Sequence, residues 1–531
     1  MLAPLHQVNI GTLPASPKIK YNKFASSFFW NQWLIYICQM ANKQQTEESN
    51  VFKKVTSHAK EYGFIFQSSE IYDGLQAAYD YGPYGVELKN NLKNLWWRSM
   101  TQLHDNIVGL DASIFMHPTT WKASGHVDSF NDPMVDNKDS KKRYRADTLI
   151  EDRAEELENK GEKDKADALL TRMGKCMDDD DLKGLHQIII DENIVCPVSG
   201  TANWTDVRQF NLMFSTEAGS LAEDANKIYL RPETAQGIFV NFLNVQKSSR
   251  KKIPFGIAQI GKAFRNEIIA RQFTFRMREF EQMEMQFFVR PGEEMEWYNT
   301  WKEARMRWHK AIGINPDHLQ FHDHDSLAHY ANAAVDVEYK FPFGTKEIEG
   351  IHSRTDFDLS RHQEFSRKKL QYFDEELGKN YIPYVIETSA GADRVFLAAF
   401  CNAFTEEEVG EGDKKKMRTY LKFHPAIAPV KAAVLPLLRK DGLPEIAKEL
   451  FDELKLNFYT AYDEKAAIGK RYTRQDLIGT PFCITVDHQT KEDGTVTLRH
   501  RDSMEQERVH KDDLRRMIRS AISARNIFEK L

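Results

Sequence analysis

A chain of 531 residues is too long for one ordinary core, so two or three domains are expected, each with ample apolar material. A formal net charge of -5 gives no global basic field, so a nucleic-acid partner would have to be met by a local patch of cations. Five cysteines (Cys38, Cys176, Cys196, Cys401, Cys483) are odd in number and lack CxxC spacing; this suits a reducing, cytoplasmic compartment and offers no evident metal site.

Taken in chain order, residues 1–45 read as a leader. Its apolar run "FASSFFWNQWLIYICQ" (24–39) is shorter than the roughly 20 residues a bilayer span needs and carries Asn31 and Gln32, so no membrane partner is expected. Lys18, Lys20 and Lys23 without arginine give little support for a transit peptide, and the polar stretch from Met40 looks like the start of a soluble protein, which makes residues 1–39 a non-functional extension or an over-long gene start. A large domain follows over 46–425. In it, Leu88, Leu92, Leu95, Trp96, Met100 and Leu103 recur at helical spacing after Pro83, predicting an amphipathic helix over 81–103 that serves a core or a subunit interface. Residues 147–184 interleave glutamate with lysine and arginine and close on an acidic run at 178–181, which predicts a solvated helical hairpin inside an insertion at about 141–205.

From 226 the pattern changes. A helix-like piece (233–246) precedes two strand-like runs, 255–267 and 277–289, joined by a charged loop as a hairpin. A helix near 293–312, strands at 335–341, 345–359 and 381–389, and a helix at 391–404 follow, implying a mainly antiparallel sheet flanked by helices. "PAIAPVK" marks a boundary near 425–430. Beyond it, strands alternate with helices at 444–456 and 512–530 in a separate α/β domain over 426–531, making the whole an α+β protein.

The hairpin holds the chemistry. Residues two apart on a strand share a face, which joins Arg265 to Glu267 and Arg278 to Phe280, Gln282 and Glu284. Guanidinium for phosphate, a ring for a base and carboxylates for an ammonium or metal are the parts needed to hold a nucleotide beside an amine. A cross-strand ladder of salt bridges on a wet face is the bland alternative.

"FRNE", "FRMREFEQME" and "GADRVFLA" resemble motifs 2 and 3 of class II aminoacyl-tRNA synthetases. "YDYGPYGVELKNN", "SFNDPMVD", "YRADTLIED", "LRPETAQGIFVNF", "GIHSRTDFDL" and "IGKRYTRQDLIGTPF" resemble the homodimeric glycyl type of that class, over roughly 50–528. The resemblance implies a class II catalytic domain at 46–425, an anticodon-binding domain at 426–531, and a cytoplasmic homodimer that activates glycine with ATP and Mg²⁺ and passes it to tRNA(Gly). It implies that Arg265 holds the ATP α-phosphate, that Phe280 stacks on adenine, and that Arg394 binds the triphosphate end, with Glu267 beside both pockets. Asn266, Phe275, Arg276, Met277, Arg278, Glu279, Glu347, Ile348, Gly391, Ala392 and Asp393 complete the implied ATP site. Glycine is implied to meet Arg145, Glu233, the run Phe280, Glu281, Gln282, Met283 and Glu284, and the run Glu387, Thr388, Ser389, Ala390 and Gly391. Glu347 and Glu387 are the implied magnesium contacts.

The sequence departs from the pattern in two places. Asn137, Ser140 and Ser199 stand where bacterial relatives often carry cysteines, leaving Cys196 alone, so no structural zinc is expected. Thr388 replaces a usual proline. "FHDHDSLAHY" (321–330) reads as a helix cap with solvated His322, His324 and His329 rather than a metal cluster, and Arg471 and Arg474 are expected to face phosphate or base edges. A non-catalytic accessory relative would have lost motif arginines, yet Arg265, Glu267, Glu284 and Arg394 all stand. A threonyl or prolyl enzyme is disfavoured by the glycyl-like blocks, and a class I enzyme by the absence of HIGH and KMSKS.

Overall fold

The computed structural model describes residues 50–218, 226–268, 272–324, 327, 331–410, 412 and 415–531. The leader and its apolar run, with Cys38, lie outside the described residues, as does His329. The chain divides into a first unit, Met1–Lys53, in which 50–53 are helical, and a second, Lys54–Leu531, which carries everything below. Among the described residues no helix is long and apolar enough to cross a membrane.

A seven-stranded sheet organises the second unit. Its strands lie in the order Leu319–Asp323, Ala333–Phe341, Gly344–Thr355, Tyr384–Gly391, Glu279–Val289, Phe255–Phe264 and Ile107–Gly109, antiparallel except for the last pair. The expected hairpin is the pairing of Phe255–Phe264 with Glu279–Val289. Strand Glu279–Val289 explains how one sheet can be wet at one end and dry at the other. Phe287 meets Trp297 and Trp301 on one face, and Phe288 meets Phe242 and Phe255 on the other, so that end is enclosed by helices Glu294–Ala311 and Ala235–Ser249. Toward its start the side chains of Phe280 and Gln282 line an open hollow, with Glu284 buried behind them. The 345–359 run is a strand only to Thr355; helix Phe357–Ser366 then begins. Residues 321–323 end the edge strand Leu319–Asp323 rather than forming a helix cap, and His324 pairs with Asp336 at 2.9 Å.

Helix Pro83–Thr101 buries Leu88, Leu92, Leu95, Trp96 and Met100 against its own chain. Its apolar stripe is therefore core. The charged insertion is more than a hairpin. Helices Ala146–Asn159, Lys163–Asp178 and Leu182–Asp191 close around Leu149, Ile150, Leu169, Leu185, Ile188 and Trp204, beside a small sheet of Asn131–Asp136, Arg143–Arg145 and Arg208–Asn211. Here Asn137, Ser140, Cys196 and Ser199 converge: Ser199 Oγ donates to Asn137 Oδ1 at 3.0 Å, and Ser140 Oγ lies 3.3 Å from the Cys196 sulfur. Hydrogen bonds close this knuckle.

The C-terminal region is a five-stranded sheet ordered Thr460–Tyr462, Ala432–Pro436, Phe482–Val486, Thr495–His500 and Gln506–His510, with its own apolar core. The expected terminal helix is two, Lys511–Ala521 and Arg525–Phe528. Arg471 is buried and donates to the carbonyls of Pro436, Leu437 and Asp463, so it cannot face a base or phosphate. Arg474 is half exposed and pairs with Asp463 at 2.7 Å.

Candidate active site

Arg265 and Arg394 lie 129 positions apart in sequence and line one hollow, with Glu267, Thr274, Phe275, Arg276, Met277, Phe280, Gln282, Glu347, Ser389, Gly391 and Asp393. Sheet register brings them there. Gln282 sits opposite both Gly261 and Gly391, and Glu284 opposite Gln259 and Ser389, so three antiparallel strands offer their side chains to one side. At Gly261 a Cβ would fall 2.2 Å from Arg231 Nη2, which restricts the position to glycine. The ladder continues past the strand: Arg265 N–H donates to the Arg278 carbonyl at 2.9 Å, which carries Arg265 to the rim.

The two guanidiniums are held differently. Arg265 Nε donates to the Pro232 carbonyl at 3.1 Å, and its guanidinium stands 5.3 Å from the Phe280 ring centre and 5.5 Å from that of Phe130. Arg394 lies 4.4 Å over the Phe275 ring and reaches Glu347 Oε2 at 2.8 Å. The hollow that it lines has a volume of about 130 Å³. A phosphate entering there competes with Glu347 for Arg394.

Behind Ser389 lies a chain of polar groups from five segments. Glu233 meets His126 at 3.5 Å and accepts from Gln236; Gln236 donates to Asp358, and Asp358 holds Arg354 at 2.9 and 3.1 Å. Arg354 donates to Glu387 at 3.0 Å, and the Gln286 amide then bridges Glu387 (2.7 Å) and Glu284 (2.9 Å). Thr234 Oγ1 closes on the other oxygen of Glu284. Three carboxylates thus crowd one wall. Burial pushes the Glu284 carboxyl well up, and the charges of Glu387 and Glu233 push it further, so Glu284 holds its proton. Burial also opposes ionisation of Glu233, but His126 and Arg354 outweigh it and bring that carboxyl down to about 2. Glu387 is likewise drawn far below the ordinary range, because Arg354 and His352 overcome burial.

Several expected contacts fall elsewhere. Met283, Thr388 and Ala390 are fully buried on the opposite face of the sheet, as the two-residue period requires, and Thr388 Oγ1 has no hydrogen-bond partner there; Ile348 is fully buried at a register shift between Glu347 and Glu349. Asp393 reaches the lining but works as a buttress, accepting from Tyr81, from Lys89 at 2.6 Å and from the Glu281 N–H at 2.7 Å. Glu281 pairs with Lys89 and Lys93 on that same side, away from the wall of carboxylates. Arg278 turns to the carbonyls of Glu267 and Gln76, Glu279 pairs with Lys262 on the surface, and Asn266 is tied by its N–H to Leu212, so none of these three lines the hollow. Ala392 is buried at the start of helix Ala392–Ala403. Arg145 is clamped by Asp147 (2.6 Å) and Asp132 (3.0 Å) and lines a separate cavity with Arg276 and Lys346. The residues the sequence did not assign are Arg354, Asp358, Gln236, Gln286 and His126. Three, Gln236, Arg354 and Asp358, lie in quoted blocks, yet their partners are set by strand register and helix docking.

Comparison with known proteins fits this geometry. The model of the tRNA synthetase class II core domain (G, H, P, S and T) matches 214–403, that of the glycyl-tRNA synthetase insertion domain 1 matches 132–167 and 160–212, and that of an anticodon binding domain matches 431–521. The glycine–tRNA ligase of Chlorobaculum tepidum is 55% identical over 459 residues, covering 86% of this chain and 97% of its own. Those of Treponema denticola (53% over 474 residues; 88% and 97%) and Staphylococcus haemolyticus (55% over 457; 86% and 95%) are similar to the same extent. With motif arginines converging on one hollow over an antiparallel sheet, the chain belongs to the glycine–tRNA ligase family of class II aminoacyl-tRNA synthetases.

Proposed function

We propose that the protein activates glycine with ATP and transfers it to the 3′ end of tRNA(Gly). The observation that carries the reading is the shared hollow of Arg265, Arg394 and Phe280 beside a wall of three carboxylates, of which Glu284 and Glu387 are buried and Glu233 is partly exposed. Adenine stacks on Phe280, Arg265 takes the α-phosphate, and Arg394 leaves Glu347 for the far phosphates. A glycine carboxylate oxygen attacks the α-phosphorus in line, the bond to the bridging oxygen breaks, and pyrophosphate leaves with the electron pair. The terminal ribose hydroxyl then attacks the glycyl carbonyl carbon, AMP leaves, and the hydroxyl proton departs to the released phosphate or solvent. No protein nucleophile is needed; the chain supplies position and fixed charge.

Two carboxylates, Glu347 and Glu387, differ in their fit to Mg²⁺. Glu347 faces the hollow and is released when Arg394 moves to phosphate, which suits an ion held by one carboxylate and phosphate oxygens. Glu387 does not fit, since its oxygens are taken by His352, Arg354 and Gln286. When bound, the ion would neutralise charge on the departing pyrophosphate.

The glycine ammonium belongs with Glu233, Glu284 and Ser389, with Glu387 held behind them. A single methyl distinguishes alanine, worth only about 1–3 kcal/mol as favourable contact, so selection rests on crowding and on leaving a buried charge unpaired. For Arg145 to reach the glycine carboxylate it must give up two aspartates; we assign it instead to joining strand Asn131–Asp136 to helix Ala146–Asn159 within the insertion. We further place the protein in the cytoplasm as a homodimer, with residues 426–531 reading the anticodon. Exposed Phe66, Ile71, Tyr72 and Leu75 support a subunit interface near 65–79, in place of helix Pro83–Thr101. Charging of total tRNA with each of the twenty amino acids tests the reading. Charging with glycine alone is expected; charging with another amino acid, or with none, would refute it.

A further inference from the structure

Glycine offers a protein only an ammonium and a carboxylate, so the orientation of each group that meets them carries much of the selection. A glutamate carboxyl rotates broadly about its last bond unless its oxygens are held. Glu233 is held on both. Gln236 Nε2 donates to Oε1 at 2.9 Å, and His126 Nε2 stands 3.5 Å from Oε2. The two anchors differ in origin. Gln236 is fully buried and is also tied to Asp358 at 2.9 Å and to His362 at 2.8 Å, so it belongs to the wall itself. His126 comes from outside the sheet, on the short segment that follows helix Pro118–Ala123.

That segment is built to present the ring. Gly125, at φ +84°, turns the chain in the left-handed region that favours glycine. Trp121 is fully buried and Arg361 donates to the Ala123 carbonyl at 3.3 Å, which pins the helix to the core. The His126 ring packs edge-on between Trp121 and Phe130, at centroid distances of 5.6 and 5.3 Å. Ser124 Oγ lies 2.8 Å from Nδ1 and fixes the ring's rotation. An ionised carboxylate only accepts, so the hydrogen between His126 and Glu233 sits on Nε2. Burial opposes ionisation of Glu233, and His126 is the largest of the contacts that offset it.

We propose that His126 is a positioning residue for glycine: it fixes the second oxygen of Glu233, so that the carboxylate meets the substrate ammonium in one orientation. This role rests on the glycine reading above and deepens it. His126 touches no reacting atom and acts only through Glu233. The competing role is packing. Phe130, against which the ring lies, stands 5.5 Å from the Arg265 guanidinium, so a ring that merely supported Phe130 would act on ATP instead of glycine.

Glycine-dependent ATP–pyrophosphate exchange on the full chain, with glycine and ATP varied in turn, tests the assignment. His126→Ala is expected to raise KM for glycine by about 10- to 100-fold, the worth of one hydrogen bond to a charged group, with KM for ATP and kcat at saturating glycine within about threefold of the parent. Two amides then separate the ring's nitrogens. His126→Gln places an amide N–H where Nε2 stands and is expected to recover most of the glycine KM. His126→Asn reaches only the Nδ1 position and is expected to stay close to the alanine variant. An unchanged glycine KM in His126→Ala, a parallel rise in KM for glycine and ATP, or equal values in the glutamine and asparagine variants would each overturn it. Failure of glycine-dependent exchange in the parent protein would instead strike the underlying functional reading.

Discussion

Two buried ionic networks in this chain look alike in composition and differ in balance. At the junction with the C-terminal sheet, Asp476 receives Arg499 through two bonds of 2.8 and 2.9 Å and Arg418 at 3.1 Å, Arg418 also meets Glu407, and Arg501 is capped by the carbonyls of Gly479 and Phe423. Each of these charges has a partner of opposite sign or a carbonyl. In the wall beside Ser389, three carboxylates converge, Arg354 is shared between Asp358 and Glu387, and Glu284 must keep its proton. The junction holds two parts of the chain together. The wall is short of positive charge, and a substrate ammonium supplies it. A balanced buried network reads as structure; an unbalanced one reads as a site awaiting a ligand.

The contrast can be broken by mutation, starting with the largest effect. Asp476→Ala leaves the buried Arg499 guanidinium without its carboxylate and takes one of two from Arg418, and is expected to cost about 3–5 kcal/mol in urea unfolding, with the activity of the folded fraction close to that of the parent. Arg265→Ala is expected to do the reverse: a loss of about 100- to 1000-fold in glycine-dependent pyrophosphate exchange, by analogy with removing one oxyanion donor, and little change in the urea midpoint. Equal loss of stability in the two variants would erase the distinction.

Glu284→Gln sharpens it through pH. A carboxyl whose folded pKa is raised contributes stability that is complete below its ordinary 4.5 and declines as pH rises toward the folded value, because the folded state then binds the extra proton. Glutamine has no such loss. The variant should therefore gain on the parent as pH rises above about 4.5, by at most about 1.4 kcal/mol per pH unit, while glycine activation falls. A stability difference that does not vary between pH 5 and 8 would contradict the protonated carboxyl. The smallest effect is expected at Arg474→Ala, an exposed pair with Asp463 worth about 0–1 kcal/mol in urea unfolding; a larger loss would place it in the balanced network.

The sequence made the hairpin, the sheet and the motif arginines legible because they depend on local period: alternation carries Phe280, Gln282 and Glu284 to one face, and the family blocks carry Arg265 and Arg394. It was misleading where a role depends on what a side chain meets across the fold. Arg471 looks like a surface cation, yet it is spent on three carbonyls. Glu281 and Asp393 sit within binding motifs and brace helix Pro83–Thr101 instead. The insertion hid its core because Leu149, Ile150 and Ala154 are sparse among charges, and Arg354 went unassigned because its partners, Asp358 and Glu387, become neighbours only when helix and strand dock.

The central claim is that one hollow joins a phosphate clamp to an anionic wall that accepts glycine. Amino-acid-dependent ATP–pyrophosphate exchange, run with all twenty amino acids on the parent and on Arg265→Ala, tests it most directly. The account predicts exchange with glycine alone and its loss in the variant. Exchange driven by another amino acid, exchange with none, or full exchange in Arg265→Ala would contradict it.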